Sequence, residues 1–165
     1  MNETSPAGSS SAPPLPRGSR VDHKVDIAAP AEFVWQYFER VDDWPSWNPI
    51  YRKAKGSIRT GDTLDLFVAI PGMKAQDISA TVSLSMPPAH LRYGSPALAG
   101  LIRALRFVEV EAAGPESCIV TNGEVMGGVL GSLIGPTVAG KVLEALRQMN
   151  EGLKAAAESQ WRERE

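Results

Sequence analysis

The chain has 165 residues, 43% of them hydrophobic, and 17 basic against 19 acidic side chains leave a formal net charge of −2. Such a chain is sized for one domain plus a tail, and its charge gives no pull toward nucleic acid or an anionic bilayer. A single cysteine, Cys118, excludes an internal disulfide and suits a reducing, cytoplasmic setting; no apolar run reaches the ~18–20 residues of a membrane span, and no basic stretch followed by an apolar one suggests a secretory leader.

Residues 1–20 are rich in Ser, Pro and Gly and are predicted to form a disordered tail, because they hold too little apolar bulk to offset their ordering entropy. Within them Pro13–Pro16 reads as linker rather than as a PxxP ligand, and Leu15–Ser19 resembles a protease site of the kind placed after purification tags. The folded domain is predicted over 21–160, with 161–165 frayed. Val21–Ala28 alternates loosely and reads as a strand. Pro30 opens a helix reaching Val41, with Phe33, Val34, Tyr37 and Phe38 on one side. Trp44-Pro45-Ser46-Trp47-Asn48-Pro49 is a tight turn or short second helix, since two prolines forbid a long element.

Strands follow as a meander: Ile50–Ile58, Thr63–Ile70, Asp77–Met86, Ala89–Tyr93, Ile102–Ala112 and Ser117–Met126. Asp77–Met86 alternates cleanly, which puts Ile78, Ala80, Val82, Leu84 and Met86 on one buried face. Gly127–Gly140 is apolar and glycine-rich and reads as a flexible lid or an ordinary loop. Its Gly135–Lys141 spacing falls short of a P-loop, because Val142 replaces the Ser/Thr and no strand directly precedes it. From Pro136 to about Glu158 apolar residues recur at helical spacing (Ala139, Val142, Leu143, Leu146, Met149, Leu153, Ala156), with Arg147/Glu151 and Lys154/Glu158 able to pair on the other face. Strands grouped between helices indicate an α+β fold, an antiparallel sheet with helices on one side.

The last hairpin places polar groups in that interior. If Val110 faces Val120, then Val108 faces Asn122 and Arg106 faces Glu124, and all six point to the inner face. A buried charge without a partner is costly, so Arg106 and Glu124 are expected to pair. A carboxylate so paired is a poor general acid, which favours ligand binding over catalysis. Trp47 reads either as an aromatic wall at a cavity mouth or as packing of its turn; Asn48 holds that turn with its amide. His23 and His90 lie far apart, no Cys/His/acid spacing suggests a metal and no nucleophile motif appears, so no metal or cofactor is expected. Arg52, Lys53, Lys55 and Arg59 read as a solvated strand edge.

Val25-Asp26-Ile27-Ala28-Ala29-Pro30-Ala31-Glu32-Phe33-Val34-Trp35, the Trp44–Pro49 turn, and Met149-Asn150-Glu151-Gly152-Leu153-Lys154 together resemble the START-like (SRPBCC) superfamily, in particular its polyketide cyclase/dehydrase-like branch, over about 21–160. The resemblance implies a helix-grip fold: a curved antiparallel sheet wrapped around a long C-terminal helix, with two short helices after the first strand. It also implies a cavity between sheet and helix, where residue types alone leave open a solid core. Members bind lipids, sterols, quinones, plant hormones or polyketides, and a minority are cyclases or dehydratases. Glu124 and Gly127 match the family's E-x-x-G strand, whereas Arg106 stands where relatives often carry His, which weakens transfer of a His-based mechanism. The expected ligand is a hydrophobic small molecule. Its expected lining is Trp47, Leu66, Val68, Ile70, Val82, Leu84, Tyr93, Arg106, Val108, Asn122, Glu124, Val142 and Leu146. In the alternative, a cyclase or dehydratase, Glu124 and Arg106 are the catalytic candidates.

Overall fold

In the computed structural model, which describes residues 11–164, β1 (Ser19–Ile27) leads into α1 (Ala31–Glu39), a 3₁₀ turn (Val41–Asp43) and a one-turn α2 (Trp44–Trp47). Then come β2 (Tyr51–Gly56), β3 (Thr63–Val68), β4 (Gln76–Met86), β5 (His90–Ala97), β6 (Ile102–Gly114), β7 (Ser117–Gly127) and the long α3 (Gly131–Arg162). The strands form a single 7-stranded antiparallel sheet in the order β1-β7-β6-β5-β4-β3-β2. Because β1 and β2 lie at opposite edges, α1 and α2 carry the chain from one to the other. The sheet curls into a half-barrel around α3, the helix-grip arrangement. The exposed Arg52, Lys53 and Lys55 charge the outer edge strand β2, which discourages further strand pairing.

The C-terminal half of α3 is held tightly. Asn150 Nδ2 donates to the His23 carbonyl (2.9 Å), Lys154 Nζ to the Asp26 carbonyl (2.6 Å), and Glu158 Oε1 accepts from Ala28 N–H (2.9 Å). Gly152 allows the closest approach: a Cβ there would stand 1.9 Å from the Trp47 carbonyl oxygen. Further toward the N-terminus Met149 Sδ accepts from Arg106 and Asn122, and Lys141 Nζ donates to the Gly72 carbonyl in the β3–β4 turn (3.0 Å). On the solvent side Arg147 bonds Glu144 and Glu151, and Lys154 bonds Glu158 at 2.7 Å. No helix among the described residues is long and apolar enough to cross a membrane.

Several boundaries differ from the sequence reading. β1 begins at Ser19, inside the segment read as tail, and residues 11–16, without regular structure, lie where Arg92 Nη1 donates to the Pro14 carbonyl (3.5 Å). The disorder expected of residues 1–10, and the fraying of Glu165, fall outside the described residues. α3 extends to Arg162 rather than fraying from 161, because Trp161 packs on Phe33 (5.1 Å between centroids). At its other end α3 starts at Gly131, so most of the supposed lid is helix. Gly131 and Gly135 there serve contact rather than flexibility: a Cβ at Gly135 would come within 2.5 Å of the Ser19 Cβ.

Candidate functional site

Between the middle of α3 and the concave face of the sheet the side chains do not meet, and a cavity of about 380 Å³ remains. Leu66 and Val68 of β3, Ile78 and Ala80 of β4, and Val142, Ala145, Leu146 and Met149 of α3 supply its apolar wall. It opens at the end of the sheet where Met73, Pro96 and Ala97 lie, beside the tie between Lys141 and Gly72. This is the usual form of a small-molecule pocket, mostly apolar with a few convergent polar groups.

Tyr51, Tyr93, Arg106 and Glu124 are among those groups, and Gln76, Asp77, Ser79 and Ser95 also line the cavity. The register of β6 and β7 pairs Arg106 with Glu124, Val108 with Asn122 and Val110 with Val120. Their side chains do not form the expected ion pair. Arg106 Nε donates to the Gly123 carbonyl (3.0 Å), Nη1 to the Tyr51 hydroxyl (3.0 Å), and Nη2 to Asn122 Oδ1 and Met149 Sδ (3.3 Å). The Tyr51 and Tyr93 hydroxyls lie 2.6 Å apart. Trp44 backs both rings, stacking on Tyr51 at 5.6 Å and tilting against Tyr93 at 5.9 Å, with its indole N–H fixed on the Phe38 carbonyl.

The electrostatics follow from this geometry. Burial pushes the Glu124 carboxyl above the ordinary carboxylate value, and the nearby Arg106 charge only partly pulls it back. Burial likewise raises the Tyr51 phenol well above its usual value despite the Arg106 charge. Burial works against the Arg106 cation, but Tyr51, Tyr93 and Glu124 together keep it protonated. The site therefore holds a fixed cation, two hydroxyls and a carboxyl able to carry a proton.

Of the residues predicted to line the pocket, Leu66, Val68, Ile70, Tyr93, Arg106, Glu124, Val142 and Leu146 do border it. Val82 and Val108 are buried in the packed core instead, and Asn122 stands behind Arg106. Leu84 is turned away. A register shift between Val82 and Leu84 sets Leu84 opposite Arg92, on the other face of the sheet from the Val82–Tyr93 pair. Trp47 forms no mouth wall: it lies against Phe38 (5.9 Å) and Tyr37 (6.5 Å), next to Gly152. Asn48 Oδ1 accepts from Ile50 N–H at 3.0 Å and holds the turn.

Sequence alternation missed Tyr51. It would share a face with Lys53 and Lys55, but an irregularity between Tyr51 and Lys53 turns Tyr51 and Ala54 inward together. Met149 belonged to the recognised helix stripe, yet nothing in that spacing says that its sulfur receives Arg106. Cys118 is fully buried and its thiol is pushed up to about 11 by that burial, with Glu32 adding to it, so it is chemically quiet.

A family model described as polyketide cyclase / dehydrase and lipid transport matches residues 19–158. No curated protein matches the sequence. Among solved structures, the fold is similar to a START superfamily protein from Mycobacterium smegmatis (19% identity, TM-score 0.70, covering 86% of this chain and 99% of that one). It is also similar to the Zhui aromatase/cyclase from Streptomyces sp. R1128 (16% identity, TM-score 0.63, 84% and 93%). A third is a norcoclaurine synthase from Thalictrum flavum (15% identity, TM-score 0.62, 84% and 92%). At such identities the likeness concerns the fold.

Proposed function

This chain belongs to the polyketide cyclase/dehydrase and lipid transport family, and on that premise we propose that it binds a hydrophobic small molecule, lipid-like, quinone-like or polyketide-like, in the cavity between sheet and α3. The observation that carries this reading is the space of about 380 Å³, apolar on most sides, onto which Arg106, Tyr51, Tyr93 and Glu124 converge. The apolar body of the ligand lies along α3 and β3–β4, and its polar end meets that cluster. The test is native mass spectrometry of protein purified from its own host. A bound apolar compound that is lost from an Ala80→Trp variant, whose indole fills the cavity, supports binding there. A compound retained equally by that variant refutes it.

One observation favours a second reading, a cyclase or dehydratase. Among the described residues no cationic side chain pairs with Glu124, and its raised pKa makes it a usable proton donor near Arg106, which can polarise a carbonyl. If the co-purifying compound is converted by wild type and not by Glu124→Gln, the protein is an enzyme. If both leave it unchanged, it is a carrier or receptor.

A further inference from the structure

Arg106 brings a full positive charge to an apolar cavity, and no carboxylate is in contact with it, although Glu124 lies opposite it in the register and helps to hold its charge. Among the described residues no acidic oxygen lies within 4.0 Å of its guanidinium, although ion pairs of that reach occur elsewhere on the molecule. Its partners are a backbone carbonyl, a phenol, an amide and a thioether, all neutral. A thioether is a weak acceptor, and a guanidinium has five N–H donors, so Arg106 keeps spare donor capacity where it borders the cavity. Buried charges are normally neutralised by a partner, because desolvating one alone is costly. The other ionisable groups bordering the cavity are Glu124 from β7, Tyr51 from β2, Tyr93 from β5 and Asp77 from β4. The stretch of α3 there, Val142 to Met149, contributes only Val142, Ala145, Leu146 and Met149 to the wall, and none of these is charged.

We propose that the missing counter-charge arrives with the ligand: the cavity takes an apolar carboxylic acid, bound as its carboxylate on Arg106, with the Tyr51 and Tyr93 hydroxyls beside it. This rests on the cavity reading and narrows its substrate class. A monoanion fits better than a phosphate dianion, since one guanidinium faces it and Glu124 lies close by. One Nη1 N–H is unused and one Nη2 N–H is held only by the weakly accepting Met149 thioether, so the carboxylate takes the first and, for a two-point contact, displaces the second. Glu124 is then the group that must stay protonated, so binding takes up a proton whenever Glu124 starts ionised. Affinity falls as pH rises through the Glu124 titration, while the ligand's own carboxylate stays charged.

Wild-type protein is titrated calorimetrically with decanoate and with methyl decanoate from pH 6 to 8, in two buffers of different ionisation enthalpy. The expected result is at least tenfold tighter binding of decanoate than of methyl decanoate at pH 6, with any loss of that preference at higher pH accompanied by proton uptake for the acid alone. Arg106→Met is expected to abolish the preference; the wild-type comparison of acid with ester stands even if that variant misfolds. Equal affinity for the two, both displaced by Ala80→Trp, overturns the carboxylate assignment and leaves the cavity reading intact. Binding of neither probe, nor of a neutral apolar fluorophore, overturns both.

Discussion

Two glycines of α3 make opposite predictions from the same substitution. At Gly140 an added Cβ meets nothing within 4 Å, so Gly140→Ala should gain the ordinary helix preference of Ala over Gly, about 1 kcal/mol. At Gly152 the same methyl would stand 1.9 Å from the Trp47 carbonyl oxygen, a backbone atom that no rotamer change can move. Helix and turn would have to separate by roughly 1 Å or more, loosening the contacts of Trp47 with Tyr37 and Phe38. Overpacking of this kind costs about 1–3 kcal/mol, and more when backbone must yield. Set against the propensity gain, Gly152→Ala should lose about 2 kcal/mol net. For a domain of this size that lowers Tm by about 4–8 °C, whereas Gly140→Ala should raise it by about 2–4 °C. Thermal unfolding by circular dichroism of wild type and both variants decides the matter. Shifts of the same sign would refute the close approach of α3 to α2.

Glu124 sets a pH dependence of stability. Its folded-state pKa is raised, so the folded chain holds this proton more tightly than the unfolded one; the contribution is complete below the ordinary carboxylate value and is lost as pH rises through the folded pKa. Melts across the acid to neutral range should therefore show Glu124→Gln gaining stability relative to wild type as pH increases; a parallel pair of curves would contradict this. Tyr51→Phe removes the hydroxyl shared by Arg106 and Tyr93 and should cost about 1–2 kcal/mol in urea unfolding, with weaker ligand retention. Lys141→Met severs the tie to the Gly72 carbonyl. Stopped-flow release of a fluorescent apolar ligand should then be several-fold faster with stability changed by no more than about 0.5 kcal/mol; unaltered release would show that the tie does not gate the mouth.

The sequence carried the fold well, for identifiable reasons. The 3.6-residue stripe of α3 and the clean alternation of β4 are strong periodic signals, and the β6–β7 register followed from one short turn and a change of apolar pattern. The site was less legible wherever a strand departs from its two-residue period. The irregularity after Tyr51 brought into the cavity a tyrosine that the sequence reading had not assigned to it, and the one after Val82 sent Leu84 the other way. The expected Arg106–Glu124 contact failed for another reason. Backbone register fixes which Cα atoms oppose, but not whether a long side chain prefers the amide, phenol and carbonyl within its reach. That choice is made in three dimensions, by Tyr51 and Met149 arriving from distant parts of the chain.

The fastenings of α3 lie unevenly along its length. His23, Asp26, Ala28 and Trp47 all grip the portion beyond Asn150, whereas the stretch from Val142 to Met149 faces open space. The chamber is thus roofed by the middle of a beam, held by hydrogen bonds at its C-terminal end and by the close seating of Gly131 and Gly135 on Met126 and Ser19 at the other. Guests of different girth can be admitted by re-cutting Met73, Ala97 or Val142 along the cavity wall, without disturbing the joinery at either end of the helix. Taste and sturdiness are written on separate residues, which lets natural variation, or a protein engineer, alter the first while sparing the second.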